Sequence, residues 1–440
     1  MAQLPKVEPY LGITQHGKAH LSIGARWGDE GKGKGAHALV GRLGIKRGVR
    51  YGGGGNSGHT VYPLPGVKLA LNHMPCCAAH KDGIPCLGQG MVIDPKALFE
   101  NEVNKLHELG FLQDPSLPLI DELAHIVMPW HFILDDPFGK IGSTKKGIGP
   151  AYTDKYARRG IRMVDILHAG TLQTKVEEIV EYHNIYFRHL ELQEMEVNPI
   201  VDEYLEIGEN LRPHIVDLSE HLLNALENNH DIIGEGHQGV EIGVQCIEYP
   251  YVTSCDTTTG AFCTGTGIPP KYIGNIYGLI KAYDTSVGVR PGFLAKLEDT
   301  TGEKIRQRGG EFGATTGRPR DVGWLDVAST KNAVWRNGIT GIIMAKLDVL
   351  TGFKEILTCV GYELDGEKIN KLPIDFAVRS RVTPIYEEHP GWEKDIVGIT
   401  NFVLLPKNAR RFIERLEGQF GVPIVAIGTG PEPEDFIWRR

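Results

Sequence analysis

Between Gly24 and Gly35 the chain reads GARWGDEGKGKG, with Asp29, Glu30, Lys32 and Lys34 set among glycines. Glycine lets backbone N–H groups approach an anion closely, and a helix starting from such a loop adds the positive potential of its unpaired N–H groups. Lys32 and Lys34 add full charges, so the stretch reads as a phosphate cradle. Asp29 sets it apart. A carboxylate in a cationic cradle can hold Mg2+ against phosphate oxygens, or act as a general base, since an ordinary aspartate has a pKa of about 3.9. The common nucleotide-binding signature is not met, because Gly31-Lys32 is followed by Gly33 in place of Ser or Thr.

A second glycine-rich stretch, GGGGNSGHT from Gly52 to Thr60, carries His59. As a cationic imidazole facing Asp29, it can donate to a transferring phosphoryl oxygen. Lys346-x-Asp348 follows an apolar run. A carboxylate there can accept from both N1–H and the 2-amino group of guanine, whereas adenine offers the wrong pattern. In TTGRPR, Thr315 to Arg320, two arginines flank Pro319. Paired guanidiniums suit carboxylates and phosphates.

These residues need a scaffold. His20 to Ile23 reads as a buried strand ahead of the first loop, and Ala36 to Leu43 as a helix beginning just after its glycines. Gly48 to Tyr51 reads as a strand running into the second loop, so the two loops can converge. Strand patterns return at 231–233, 341–344, 356–362 and 424–427, each followed by polar or glycine residues, as when sites lie at the carboxyl ends of parallel strands. Asp94-Pro95 opens a helix that Gly110 closes. Helical spacing from Leu172 to Leu190, and again from Leu218, marks 164–230 as a mainly helical insertion. The predicted architecture is α/β, a single large doubly wound and mostly parallel sheet with helical insertions and long active-site loops. Residues 1–18 read as an N-terminal extension and 19–440 as one catalytic domain.

Composition narrows the function classes. Glycine numbers 55 of 440 residues, favouring tight turns and backbone-lined sites, hence a ligand-binding enzyme. With 55 acids against 47 bases, a net charge of −8 and no basic concentration, nucleic acid is not an expected partner. No signal-peptide core or long apolar run is present, so a cytoplasmic protein without a membrane segment is expected. The seven cysteines are odd in number and contain no C-x-x-C pair, which indicates packed, reduced thiols and neither a disulfide framework nor a zinc site.

The chain resembles the adenylosuccinate synthetases, GTP-dependent ligases that join IMP to L-aspartate on the way to AMP. The likeness runs in order through WGDEGKGK (27–34), GGNSGHTV (54–61), IGSTKKGIGPAYTDKYARRGIR (141–162), EGHQG (235–239), YPYVTS (249–254), TGIPP (266–270), GEFGATTGRPRDVGWLD (310–326), AKLDVLTGFKEI (345–356) and HPGW (389–392). It implies that Asp29 removes the N1 proton of IMP, that O6 then attacks the γ-phosphate of GTP, and that the aspartate amine displaces phosphate from 6-phosphoryl-IMP. His59 takes the place of the family's acid. Mg2+ would be held by Asp29 and the Gly58 carbonyl, an all-oxygen set suited to that ion.

By the same likeness the GTP phosphates meet Gly28, Asp29, Glu30, Gly31, Lys32, Gly33 and Lys34, together with Gly58, His59, Thr60 and Arg320. The guanine meets Lys346, Leu347 and Asp348 and the loop Gly428, Thr429, Gly430. IMP is expected among Asn56, Ser57, Thr144, Gln238, Thr253 and Arg318, besides Asp29, Lys32, Gly58 and His59. The aspartate substrate falls to Ala314, Thr315, Thr316, Gly317, Arg318 and Arg320. Arg158 matches an arginine that reaches the neighbouring subunit's IMP site, which implies a homodimer.

Some positions depart from the family pattern. Arg26 stands where glutamine is usual, Ser57 and His237 where alanine is, Asp256 for asparagine, Ser286 for arginine, Gly428 for serine and Pro433 for arginine, while Glu241 to Val244 replaces an acidic run. These changes surround the purine and the donor base more than the phosphate cradle. The same chemistry on GMP or dGMP, and a non-catalytic guanine-nucleotide-binding regulator, are the alternative readings. Viral relatives that act on dGMP replace the catalytic aspartate, and the presence of Asp29 favours IMP.

Overall fold

The computed structural model describes residues 17–64, 66–135, 144–313 and 317–439. Ten strands form the central sheet: β1 (Ala19–Gly24), β2 (Arg47–Arg50), β3 (Ile84–Leu87), β4 (Leu119–Asp121), β5 (Ile215–Val216), β6 (Ile232–Glu235), β7 (Ile273–Lys281), β8 (Gly341–Ala345), β9 (Ile424–Gly428) and β10 (Phe436–Trp438). Their spatial order is β10-β9-β8-β7-β1-β6-β2-β3-β4-β5. Every neighbouring pair is parallel except β9 with β10. This is the predicted α/β class with a large, mostly parallel sheet. β1 is buried on both faces, Leu21 and Ile23 on one side and Ser22 on the other, as an inner parallel strand requires. From β1 the chain builds β2 to β5 toward one edge, returns to insert β6 beside β1, then builds β7 to β10 toward the other. The loop after β1 therefore leaves the sheet where the winding reverses, the place where open α/β sheets bind ligands.

The helix after that loop, α1 (Lys32–Leu43), begins four residues earlier than the apolar pattern indicates. Gly31 serves as its left-handed cap at φ 84°, and the glycines that read as loop form the first turns. They are close-approach positions: a Cβ on Gly33 would lie 2.3 Å from the Thr60 carbonyl oxygen, and one on Gly35 2.3 Å from Leu279 Cδ2. The loop ending at Thr60 thus packs straight onto α1, and the two glycine-rich stretches converge.

Asp94 caps the next helix, accepting from the backbone N–H groups of Lys96 and Ala97 at 3.1 Å. A wide π turn at Phe99–Val103 interrupts it, and Gly110 ends it at φ 78°. Glu102 in that turn accepts the N–H groups of Asn72, His73 and Met74 at 2.9, 3.0 and 3.0 Å, pinning the chain that leads to Cys76. Within 164–230 lie helices Ala169–His189, Val197–Leu211 and Leu218–Glu227.

The apolar run 356–362 is not part of the main sheet. Its strand, Glu355–Leu364, pairs antiparallel with Thr383–Pro390 and Glu367–Ile369 and parallel with Leu325–Asp326 in a separate small sheet. A short apolar run specifies a strand but not its neighbours. Conversely, β7 gives little apolar signal, because Asn275, Tyr277 and Gly278 interrupt it, yet it lies against β1.

Candidate active site

A cleft of about 1520 Å3 opens beside the loop after β1. That exceeds the roughly 300–1,000 Å3 of a site for one small molecule. Its lining brings together Gly28, Asp29, Gly31, Lys32, Gly33 and Lys34 from the first loop with Asn56, Ser57, Gly58, His59 and Thr60 from the second. Thr144, Gln238, Thr253, Arg318, Arg320, Lys346, Asp348, Gly428 and Gly430 complete the predicted residues found there. Leu347 and Thr429 are buried behind the wall, while Gly317 and Arg158 are exposed elsewhere. Ala314, Thr315 and Thr316 lie outside the described residues.

The first loop is bent by three residues in the left-handed region, Gly28 (φ 89°), Asp29 (φ 58°) and Gly31 (φ 84°). An aspartate at positive φ is a strained choice of the kind found at functional sites. Glu30 braces the turn from inside: its carboxylate accepts from the N–H groups of Arg26 (3.1 Å) and Gly28 (2.8 Å) and from Lys32 Nζ (2.6 Å). The side chain of Glu30 therefore faces the loop, and Asp29 faces the cleft. No side chain caps α1, so its first N–H groups remain available to an anion. Lys34 donates to the Gly430 carbonyl at 2.7 Å, and burial pushes its pKa down to about 8.

Arg320 Nε lies 2.9 Å from Asp29 Oδ2, while its Nη1 donates to Glu311 at 2.8 Å. Glu311 is a fully buried hub. It also accepts from Tyr283 Oη (2.6 Å), Lys281 Nζ (3.1 Å) and Lys346 Nζ (2.8 Å). Burial opposes its charge, but Lys281 and Lys346 draw its pKa well below the ordinary carboxylate range. Lys346 is thus committed to Glu311 and to the Gly309 carbonyl, so of that triplet Asp348 keeps its carboxylate toward the cleft. Asp348 Oδ1 is buried and unpartnered, and burial raises its pKa.

His59 is 3% exposed. Its Nδ1 contacts Glu235 Oε1, and Arg50 Nη1 lies 3.1 Å from the same nitrogen. Burial and the Arg50 charge push the ring's pKa down to about 4. Burial and Arg50 thus favour the neutral ring, whereas the sequence reading expects a cation. Asn56 Oδ1, His59 Nε2, Gln238 Nε2 and Asp348 Oδ1 are buried cleft atoms without a hydrogen-bond partner in the protein. Buried polar atoms are rarely left so. They form a ready set of contacts for a polar ligand.

Comparison with known proteins identifies the family. A family model described as adenylosuccinate synthetase matches residues 21–437. The chain belongs to the adenylosuccinate synthetase family. It is 41% identical to the adenylosuccinate synthetase of Halothermothrix orenii, over 95% of this chain and 98% of that one. It is 38% identical to that of Clostridium perfringens, over 96% and 99%. The structure of fully ligated adenylosuccinate synthetase from Plasmodium falciparum superposes with a TM-score of 0.89 at 33% identity, covering 96% of this chain and 100% of the other. A cyanophage S-2L succinoaminodeoxyadenylate synthetase, solved with dGMP and dATP, shares the fold at a TM-score of 0.62 and 17% identity.

The departures from the adenylosuccinate synthetase pattern now have surroundings. Arg26 forms a buried two-pronged pair with Asp284, Nε at 3.0 Å and Nη2 at 2.9 Å, and its guanidinium lies 4.2 Å from the centre of the Trp27 ring. Asp284 in turn accepts from the Asp326 N–H at 2.9 Å. Ser286, two residues on, is buried with Oγ unpartnered. His237 packs against the Gly52–Gly53 backbone, where its ring atoms would meet any Cβ, and its Nε2 lies 3.1 Å from the Asp256 carbonyl oxygen. Nothing in the structure explains Pro433. Sequence reasoning misses Glu235, Arg50, Lys281 and Glu311 as site residues. Glu235 and Glu311 stand inside the quoted EGHQG and GEFGATTG blocks, which is the signal that marks them.

Proposed function

We infer that this chain ligates IMP and L-aspartate to adenylosuccinate at the expense of GTP, releasing GDP and phosphate. One observation carries the site assignment: a carboxylate, a lysine-bearing helix start, an imidazole and a second, unpartnered carboxylate face one cleft large enough for two nucleotides. Asp29 takes the proton from N1 of IMP. The O6–P bond forms as the bond from the γ-phosphorus to its bridging oxygen breaks, and GDP leaves. The aspartate amine then attacks C6, and the C6–O6 bond breaks with O6 departing in phosphate. An amide-like oxygen leaves poorly, so its phosphorylation must come first.

Lys32 and the α1 N–H groups oppose the charge that spreads over the transferring group, and His59 presents Nε2 to the same region. Asp348 reads guanine, and Arg318 and Arg320 suit the substrate's carboxylates. The backbone carbonyl of Gly58, an exposed residue of the cleft lining, and the cleft-facing Asp29 are hard oxygen donors that fit Mg2+. That ion, when bound, neutralises phosphate charge and orients the γ-group.

A homodimer is part of the proposal. Arg158, at φ 66° just beyond helix Ile148–Tyr156, is exposed and does not line its own cleft, although the neighbouring Tyr156 and Arg159 do. A second copy seated there would receive Arg158 in its IMP site. Among the described residues no helix is long and apolar enough to cross a membrane, and a cytoplasmic setting fits nucleotide substrates.

The decisive assay offers IMP, GMP and dGMP, each with GTP or ATP, plus aspartate and Mg2+. Adenylosuccinate from IMP and GTP at the highest kcat/KM is the expected result. A preference for GMP or dGMP would move the assignment to a 2-aminopurine substrate, and GTP binding without turnover on any of them would contradict it.

A further inference from the structure

The ring of His59 is held from behind by groups that the proposed reaction does not use. Arg50 ends β2 and Glu235 ends β6, and the parallel register sets them directly side by side. Both are essentially fully buried. Glu235 Oε1 meets His59 Nδ1 and lies 3.5 Å from Arg50 Nη1. Its other oxygen accepts the Cys76 N–H at 2.7 Å, and the Cys76 thiol donates to Oε1 at 3.1 Å. Cys76 is itself fully buried, at the start of a tight turn whose approach Glu102 pins through three backbone N–H groups.

We propose that Glu235, clamped by the backbone and thiol of Cys76, is a positioning residue that holds His59 through Nδ1–H and so turns Nε2 toward the cleft. An imidazole in contact with a carboxylate at Nδ1 carries its proton there, and the opposite nitrogen is then the one offered to a ligand. The unpartnered state of Nε2, on a residue that lines the cleft, fits this orientation. Arg50 compensates the charge of Glu235, its Nη1 standing 3.5 Å from Oε1 and 3.1 Å from His59 Nδ1, while the nearer carboxylate is the partner that fixes the Nδ1 proton. The carboxylate has no freedom to rotate, since both of its oxygens are engaged by groups from separate segments. Burial and the neighbouring Glu235 push the thiol's pKa far up, so Cys76 stays a donor. His59, Cys76 and Glu235 are close enough together to suggest a soft-metal trio. The adjacent Arg50 cation opposes a metal there, and a hydrogen-bonded clamp accounts for the same contacts.

This inference rests on the ligase reading: with Nδ1–H held by Glu235, Nε2 takes up a proton from solvent when the phosphates bind and donates it to a phosphoryl oxygen. The test combines kinetics with a direct observation of the ring. Glu235→Ala is expected to lower kcat by at least about 30-fold while KM for GTP and for IMP stays within about 3-fold, as when a group acting only at the transition state is disoriented. Cys76→Ala is expected to lower kcat by about 3-fold, and Cys76→Ser, which restores a donor, to recover it. In 15N-histidine-labelled wild-type protein, the His59 signal, assigned by its loss in His59→Asn, is expected to show the neutral Nδ1–H tautomer.

An Nε2–H tautomer in the wild type, an unchanged kcat in Glu235→Ala, or a Cys76→Ser variant no better than Cys76→Ala would each overturn the proposal. Should Glu235→Ala not fold, Glu235→Gln keeps the volume and loses the charge. A several-fold drop in its kcat at constant KM is then expected, and wild-type kcat would overturn the inference. Failure of the wild type to turn over any purine monophosphate would sink the ligase reading instead, and the tautomer signal would still report on the clamp.

Discussion

Asp29 is held at positive φ between two glycines of the loop after β1, and the Arg320 guanidinium faces its carboxylate at 2.9 Å. Asp29→Asn keeps the shape and removes the base. We predict that kcat falls by at least about 100-fold while GTP affinity, measured by calorimetry, changes by less than about 3-fold. Near-normal turnover would remove Asp29 from its role. Asp348 makes a different prediction, because Oδ1 is buried without a partner. In Asp348→Asn an amide N–H faces the guanine donors, and KM for GTP should rise by about 10- to 100-fold. Xanthosine triphosphate, whose O2 is an acceptor, should recover much of the loss. An unchanged ranking of the two triphosphates would place the base elsewhere. Asp29, His59 and Asp348 are legible in the sequence because each sits in a local run whose residue types state the chemistry. Glu235 is not, since its partner His59 is 176 positions away and only the β2–β6 register joins Arg50 to it.

At the scale of elements, Glu311 ties β7 and β8 to the TTGRPR loop through Lys281, Lys346 and Arg320. Lys281 is 2% exposed and burial pushes its pKa down to about 8 even with Glu311 beside it. Glu311→Gln leaves that ammonium without a counter-ion. Breaking such a buried pair costs about 3 kcal/mol, to be read from the urea midpoint near pH 7. The sign with pH follows. Lys281 binds its proton less tightly in the folded chain than in the unfolded one, so its contribution to stability increases as pH rises between about 8 and 10.5. The defect should therefore shrink in alkaline buffer, and a pH-independent defect would contradict the charge argument. Two features of these elements escape sequence reading for physical reasons. α1 starts inside a glycine run because its glycines are packing surfaces against Thr60 and Leu279. The strand Glu355–Leu364 leaves the main sheet because partner choice, set by Thr383–Pro390, lies outside its own pattern.

Across the whole molecule, several histidines are kept neutral. Burial, with a nearby cation or second imidazole, pushes the pKa of His80 down to about 4 and those of His125 and His237 to about 3, from an ordinary 6.5. The unfolded chain takes up protons at these positions below about pH 6.5, and the folded chain does not. Their stabilisation is complete above that pH and is lost as pH falls toward 3 to 4. Thermal melting should thus be nearly level from pH 8 to 7 and drop steadily from pH 6 to 4. A flat profile to pH 4 would contradict the assigned burial. The parallel-sheet class and its glycine-rich junction are legible from spacing, although the run 356–362 belongs to another sheet and β7 gives little signal of its own. The meeting of distant loops in one cleft depends on sheet order, which no single segment contains. The central claim is that O6 of the purine is phosphorylated and then leaves as part of the phosphate. IMP labelled with 18O at C6 tests it most directly, in a reaction with GTP, aspartate and Mg2+. The account predicts one 18O atom in each inorganic phosphate released and none in adenylosuccinate; unlabelled phosphate would contradict it.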